Sequence, residues 1–173
     1  MNLQNLYFFH YNFSEGEMEA TAIFTELAET ILSCYKEAWF PPETAIYLFT
    51  PDAGVYHSVR LWENALEHGP DFANPGNFPW TLASCPASFL ARSLKAHGPN
   101  LTLIGGTGNL PQIQESVHLH ATQDLIEVAI VAHLQNNFND LIPTAGFCKG
   151  VVISLSGDTI INFEADGIKQ FFL

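Results

Sequence analysis

Short apolar runs alternate with amphipathic stretches along the first third of the chain. Residues 6–13, LYFFHYNF, are aromatic and β-prone and predict a first strand. In residues 19–37, apolar side chains recur every three or four positions, which predicts a helix with one buried stripe. Acidic residues suit the start of this helix, and Pro41-Pro42 ends it. The apolar run Ala45–Phe49 predicts a buried strand, so this part of the chain is expected to fold as β-α-β.

The rest of the chain continues this alternation. The predicted elements are a helix at about 58–68, a Pro/Gly/Asn-rich loop at 69–80, a helix from near Ser84, a strand at 101–106, a helix from Asn109 to about Leu125, a strand at 126–134, and a hairpin of 150–156 with 159–165. The order β-α-β-α-α-β-α-β-β predicts an α/β fold with a layered, mixed but mostly parallel sheet. The final pair of strands is expected to add an antiparallel edge.

The composition adds an expectation about association. A chain of 173 residues is most simply one domain, residues 1–173. Hydrophobic residues make up 47% of it, 14 residues are Phe, and only 14% are charged, against roughly 25% in an ordinary domain. So few charges leave too little polar surface to coat a monomer, which favours an apolar interface with another chain.

Charge and cysteine usage narrow the class of partner. The net charge is -12 with only six Lys and Arg, and these are not clustered, so nucleic acid and anionic membranes are not expected partners. No signal peptide is evident, and no apolar run reaches the roughly 18–20 residues that span a bilayer. Three widely spaced cysteines without a CxxC pattern indicate reduced thiols. We therefore expect a cytoplasmic protein.

The stretch 98-GPNLTLIGGTGNLPQI-113 has the form of a strand that delivers a small-residue turn to a helix. Many α/β enzymes hold a nucleophile or a phosphate at such a turn. A phosphate loop needs a lysine after its last glycine, and none follows here. Nearby His118 and His120 point away from each other on a helix, and His120 with Asp124 gives only two metal ligands. The sequence therefore predicts neither a cofactor nor a metal.

Two residues remain as candidate nucleophiles. The hydrolase pattern GxSxG is absent. Thr107 has no base beside it in sequence, and its alternative role is to cap the helix at Asn109. Cys85 stands at a predicted helix start, where the helix dipole favours a thiolate, although the favoured explanation is a small buried residue in a packed helix. Both assignments stay open at this point.

Residues 81–110 resemble the N-terminal half of β-ketoacyl synthases, the condensing enzymes of the thiolase-like fold. In that family a helix ends in Gly-Pro, as at Gly98-Pro99, a strand follows, and a small-residue turn presents the catalytic cysteine at a helix start. Counted from Gly98-Pro99, that cysteine falls on Thr107. Further likeness lies in the helix at 19–37 followed by AIYLFT, in the strand 126–133, and in GFCKGVVISLSG. The resemblance implies a thiolase-like half domain with helices on both faces of its sheet.

The resemblance implies a non-catalytic role, because the family's reactive groups have no match here. Threonine is far harder to ionise than cysteine, and the two histidines of the family's C-terminal half, which is absent, have no counterparts. The implied function is that of a pseudoenzyme: a ketosynthase-like accessory or chain-length-factor-like subunit in fatty acid, polyketide or polyene biosynthesis. It would form a homodimer, or a heterodimer with an active full-length ketosynthase. Acyl carrier proteins are acidic, so their contact would be indirect, through the partner's basic residues.

The resemblance also implies where chains pair. A lone first half would expose its central helix layer unless it associates with another chain. In thiolase-like dimers the strand before the nucleophile meets its copy across a two-fold axis. The implied interface is Leu101, Thr102, Leu103, Ile104, Gly105 and Gly106.

Two alternatives remain open. The first is a small thioester-processing acyltransferase or hydrolase that uses Thr107 or Cys85. A base for it would come from His57, His97 or His133, which are the plausible histidines in this sequence. The second is an α/β interaction domain unrelated to ketosynthases, which a different order of elements would favour.

Overall fold

The computed structural model describes residues 6–14, 20–35, 38–52, 54–139, 142–155 and 161–173. Its strands are Leu6–Ser14 (β1), Thr44–Thr50 (β2), Asn100–Ile104 (β3), Val128–Asn139 (β4) and Ile142–Ser154 (β5). Its helices are Ala20–Tyr35 (α1), Val55–His68 (α2), Cys85–Leu94 (α3), Leu110–Thr122 (α4) and Ile168–Phe172 (α5). Short 3₁₀ turns lie at Pro70–Phe72, Pro75–Asn77, Pro79–Thr81 and Thr107–Asn109.

The five strands form one sheet in the order β1-β5-β4-β2-β3. Strand β2 runs parallel to both of its neighbours, β3 and β4, whereas β5 runs antiparallel to β4 and to β1. The predicted α/β fold with a mixed sheet is therefore confirmed. Its parallel part is smaller than predicted, because two of the four pairings are antiparallel.

Helices cover both faces of the sheet, as expected for buried strands. All seven residues of β2 are buried, with alternate side chains entering two separate cores. Ile46 and Leu48 pack in the core beneath α1 and α3. Tyr47 and Phe49 pack in the opposite core beneath α4 and α5. We refer to these sides as the α1/α3 face and the α4/α5 face.

The C-terminal hairpin predicted from the sequence is wrong. Residues 150–154 are the end of β5, whose antiparallel partners are β4 and β1 rather than the segment 159–165. Residues 156–160 lie outside the described residues, and residues 161–167 form turns that lead into α5. The Asn162 side-chain oxygen accepts the N–H groups of Glu164 and Ala165, and such local bonds favour a turn over a strand.

Other boundaries shift by a few residues. Helix α2 begins at Val55 rather than at about 58, and α4 ends at Thr122 rather than near Leu125. Asp124, with φ 54°, adopts the left-handed conformation that ends a helix. The acidic residues 15–19, expected at the start of α1, lie outside the described residues. Within the described ranges, the helices lack the combination of length and apolar character that crossing a bilayer requires.

Candidate functional site

The turn between β3 and α4 is built on glycine. Gly105 has φ +137°, a conformation that L side chains rarely adopt, and its N–H donates to the Thr50 carbonyl of β2 over 2.9 Å. A Cβ at this position would lie 2.8 Å from Asn109 Nδ2, so the Asn109 side chain is packed against the turn. The turn that the sequence singled out is thus held against the carboxyl end of β2 by a backbone hydrogen bond.

Thr107 lies in the 3₁₀ turn Thr107–Asn109, which runs directly into α4 with Pro111 in its first turn. The Asn109 N–H donates to the Gly106 carbonyl over 3.1 Å. No side chain caps the start of either helical segment, and the Thr107 hydroxyl has no hydrogen bond to another described residue. The capping role considered for Thr107 is therefore not observed.

Thr107 lines a cavity of about 520 Å³ on the α4/α5 face. The first turns of α4 form one wall, and residues 162–169 form the other. Gln114 of α4 connects the walls, since its side-chain oxygen accepts the Phe163 N–H over 2.8 Å. The second wall could not be expected from the sequence pattern, because that pattern predicts a strand at residues 159–165.

The charged groups of this cavity neutralise each other. The Lys169 ammonium donates to the Glu164 carboxylate, and this bond, followed by the charge of Lys169, lowers the pKa of Glu164. Glu164 is therefore a carboxylate paired with a lysine at neutral pH. Neither group is placed by these contacts to take a proton from the Thr107 hydroxyl.

Two of the histidines considered as bases lie away from Thr107. The His57 ring packs against Trp80, with ring centroids 5.9 Å apart, and Trp80 packs against the core on the α1/α3 face. His97 precedes β3, and this five-residue strand alone spans about 17 Å. The structure therefore does not bring either histidine to the turn at Thr107.

His133 of β4 is on the same face as Thr107 but is enclosed by rings. It is 5% exposed, and its ring stacks on Phe49 at 4.5 Å and meets Phe147 edge-on at 5.6 Å. Neither ring nitrogen has a hydrogen-bond partner among the described residues. Burial, followed by the charge of Lys149, lowers the pKa of His133 to about 4. The imidazole is therefore neutral and is not hydrogen-bonded to Thr107.

Cys85 occupies the first position of α3, as predicted, but the sign of its pKa change is opposite to the expectation. The side chain is partly buried, and burial raises the pKa of the Cys85 thiol above its ordinary value. The thiol is therefore protonated at neutral pH. Because α3 packs on the α1/α3 face and the Thr107 cavity on the other, the two candidate nucleophiles are not brought together.

Strand β3, which carries the predicted interface, lies at one end of the sheet order. One side of β3 pairs with β2, and in the described part of the chain no strand pairs with the other side. The Pro99 carbonyl and the Gly105 N–H both bond to β2, so by alternation the backbone groups of Thr102 and Ile104 point to the open side. Ile104 is also 67% exposed. The open edge thus offers both backbone groups and an apolar side chain.

A metal centre finds no ligand set in the described ranges. No three or more His, Cys, Asp or Glu side chains are grouped there so as to hold an ion. His120, one of the histidines considered as a ligand, instead has its Nδ1 2.7 Å from the hydroxyl of the buried Tyr47. This contact joins α4 to the sheet.

Solved structures that share this fold include ketosynthases and chain length factors. The ishigamide ketosynthase/chain length factor matches with a TM-score of 0.61 at 15% identity, over 82% of this chain and 45% of that one. A second match is AntDE:AntF, a type II acyl-carrier protein in complex with its ketosynthase bound to the hexaketide. Its TM-score is 0.61 at 9% identity, and the match covers 81% of this chain and 44% of that one. The chain therefore spans less than half the length of these two proteins.

A third match covers most of both chains. The ketosynthase ApeO in complex with its chain length factor ApeC, from Xenorhabdus doucetiae, matches with a TM-score of 0.52 at 11% identity, over 89% of this chain and 80% of that one. No family model and no curated protein matches this chain. The predicted resemblance is thus confirmed as one of fold: the chain has the fold of half of a ketosynthase-type, thiolase-like chain.

Proposed function

We propose that this protein is a non-catalytic, chain-length-factor-like subunit that acts by pairing with itself or with an active ketosynthase in fatty acid, polyketide or polyene biosynthesis. The observation that carries the proposal is the fold match, which in the ketosynthase and chain length factor complex extends over 80% of a chain of comparable length.

The chemistry at Thr107 supports a role without catalysis. A threonine hydroxyl needs an adjacent base to act as a nucleophile, since its own proton is held too tightly at neutral pH. The cavity groups Lys169 and Glu164 are paired, and neither nitrogen of His133 bonds to another described residue. In this proposal Thr107 is the degenerate nucleophile position of the family.

The polar outer face of α4 supports pairing through an edge of the sheet rather than through helix packing. The exposed positions of α4 are Pro111, Gln112, Glu115, His118, Leu119 and Thr122, of which only Leu119 is a large aliphatic side chain. The apolar side of α4 packs on the sheet, where Phe163 and Phe172 from the C-terminal segment complete the core. The outer face of α4 therefore does not offer the apolar layer expected of a lone first half, and the proposal places pairing at the β3 edge.

The net charge of -12 supports an indirect relation to acyl carrier proteins. Two acidic surfaces repel each other, so carrier docking falls to basic residues of the partner chain. The proposal therefore assigns carrier recognition to the partner, and to this chain a role in forming the pair.

Mixing the pure protein with acyl-CoA and acyl-carrier thioesters tests the proposal directly. Intact-mass spectrometry should find no acyl adduct on the wild type. The alternative, a thioester-processing enzyme, is favoured by the cavity beside Thr107 and predicts an adduct. An adduct that Thr107→Ala or Cys85→Ala abolishes would overturn the non-catalytic role, and Thr107→Ser is the matched control that keeps a hydroxyl.

A further inference from the structure

Helix α2 is amphipathic, yet none of its 14 residues is buried. Val55, Trp62 and Leu66 are spaced by seven and four positions, so they lie along one side of the helix. Trp62 is 66% exposed and Leu66 is 70% exposed. An exposed apolar stripe on a globular protein is typical of an interaction site. We name Val55, Trp62 and Leu66 the α2 stripe.

The two flanks of the α2 stripe differ in chemistry. On one flank Leu61 and Ala65 face Pro70 and Ala73 across an uncharged groove of about 360 Å³, which Trp62 also lines. The other flank carries two exposed carboxylates, Glu63 and Glu67. The surface therefore combines an apolar groove with one acidic rim.

The cation beside this rim does not neutralise it. Arg60 lies 3.6 Å from Glu63, but both side chains are more than half exposed, and exposed pairs of this kind contribute little. Glu67 has His68 as its neighbour, at 3.9 Å. A partner with fixed positive charge therefore finds two accessible carboxylates.

A second copy of the chain fits this surface poorly. In a two-fold contact between antiparallel helices, the same flank of each helix faces its copy, so Glu63 and Glu67 would meet Glu63 and Glu67. Like charges brought together at an interface oppose association. The charge pattern thus favours a different, basic partner.

We propose that the α2 stripe binds an amphipathic helix of another protein, with apolar anchors on one side and Lys or Arg along its rim. The anchors enter the groove between Leu61, Ala65 and Pro70, and Trp62 packs over them at the centre of the contact. The cations face Glu63 and Glu67. This is helix-in-groove recognition, and it does not depend on the ketosynthase pairing proposed above.

Fluorescence anisotropy with labelled helical peptides of about 18 residues tests this proposal, because that length forms several turns. One peptide has a leucine ridge with a lysine rim, a second the same ridge with a glutamate rim, and a third the lysine rim with the ridge changed to glutamine. The first should bind the wild type at least tenfold more tightly than the other two, and added salt should weaken it.

Variants locate the binding on α2. Trp62→Ala should weaken binding of the leucine/lysine peptide at least tenfold. Trp39→Ala is the matched control, since Trp39 is 74% exposed but lies outside α2, and it should leave binding unchanged. A Glu63→Lys/Glu67→Lys variant should prefer the glutamate-rim peptide.

Three outcomes would overturn the proposal. Equal loss in the Trp62→Ala and Trp39→Ala variants would place the binding elsewhere. If the peptides with the leucine ridge and with the glutamine ridge bind equally well, the binding is only a general attraction of cations by an acidic protein. Self-association of the wild type that Trp62→Ala abolishes would make a second copy the occupant. Circular dichroism of each variant confirms that α2 is retained.

Discussion

The buried histidine of β4 makes the stability of this protein depend on pH. His133 has a pKa near 4 in the folded protein, because burial and then Lys149 disfavour the imidazolium, against 6.5 for an ordinary histidine. The unfolded state therefore binds more protons as the pH falls. The stability that the neutral imidazole contributes is present above pH 6.5, declines as the pH falls from 6.5 to 4, and is lost below 4.

The size of this effect follows from the two pKa values. The interval from 6.5 to about 4, at ~1.4 kcal/mol per pH unit, corresponds to about 3 kcal/mol of unfolding free energy. His133→Phe keeps an aromatic ring between Phe49 and Phe147 and removes both unpartnered nitrogens. The variant should therefore be at least as stable as the wild type at pH 7, and its advantage should grow by up to about 3 kcal/mol as the pH falls to 4.

Urea unfolding followed by circular dichroism at several pH values between 4 and 7 measures this difference. Asp52, whose pKa burial raises, acts in the opposite direction, but it is present in both proteins and cancels in the comparison. His118→Phe, on the exposed side of α4, controls for the loss of a surface histidine. If the wild-type and His133→Phe curves run parallel from pH 7 to 4, the reasoning about the buried imidazole is refuted.

Three further predictions concern packing and reactivity. Gly98→Ala should lower the unfolding free energy by about 2 kcal/mol or more, since its Cβ would lie 2.6 Å from the Thr44 carbonyl oxygen, whereas Gly108→Ala meets nothing within 4 Å and should cost little. Tyr47→Phe should cost about 1–2 kcal/mol, because it leaves His120 without the buried hydroxyl; a loss no larger than that of Tyr11→Phe, which is only partly buried, would contradict this. Iodoacetamide should modify Cys85 slowly at pH 7 and faster as the pH is raised toward 9, and mass spectrometry would detect the rapid labelling that contradicts a raised thiol pKa.

Sequence patterns predicted the elements whose own apolar pattern matches their burial. The repeat of apolar positions that predicted α1 places Ile23, Leu27 and Ile31 in the core. The run that predicted β2 is buried along its whole length. The turn at Gly105 was also located, because glycines between an apolar strand and a helix are a strong local signal. Local periodicity therefore predicts a helix that buries one stripe, and an apolar run predicts a strand that is buried on both faces.

The antiparallel half of the sheet and one wall of the cavity could not be predicted in the same way. Strand β5 pairs with β1 across more than 130 residues, a register that no local pattern records. Asn162 looked like one polar position in a strand, but its side chain bonds to the following backbone and forms a turn. The cavity beside Thr107 depends on that turn, so its second wall was missed.

The proposed function requires that this chain pairs along the open edge of β3. Ile104→Pro removes an N–H that points to this open side and leaves the bonds to β2 in place, whereas Ile104→Val keeps the N–H and is the matched control. Native mass spectrometry of the tagged protein, purified from its own cells, should find it paired with a second copy or with a full-length ketosynthase. The pairing should persist in Ile104→Val and be lost in Ile104→Pro. The proposed pairing would be contradicted if the wild-type protein is purified as a monomer without a ketosynthase. It would also be contradicted if the Ile104→Pro variant pairs as well as the wild type.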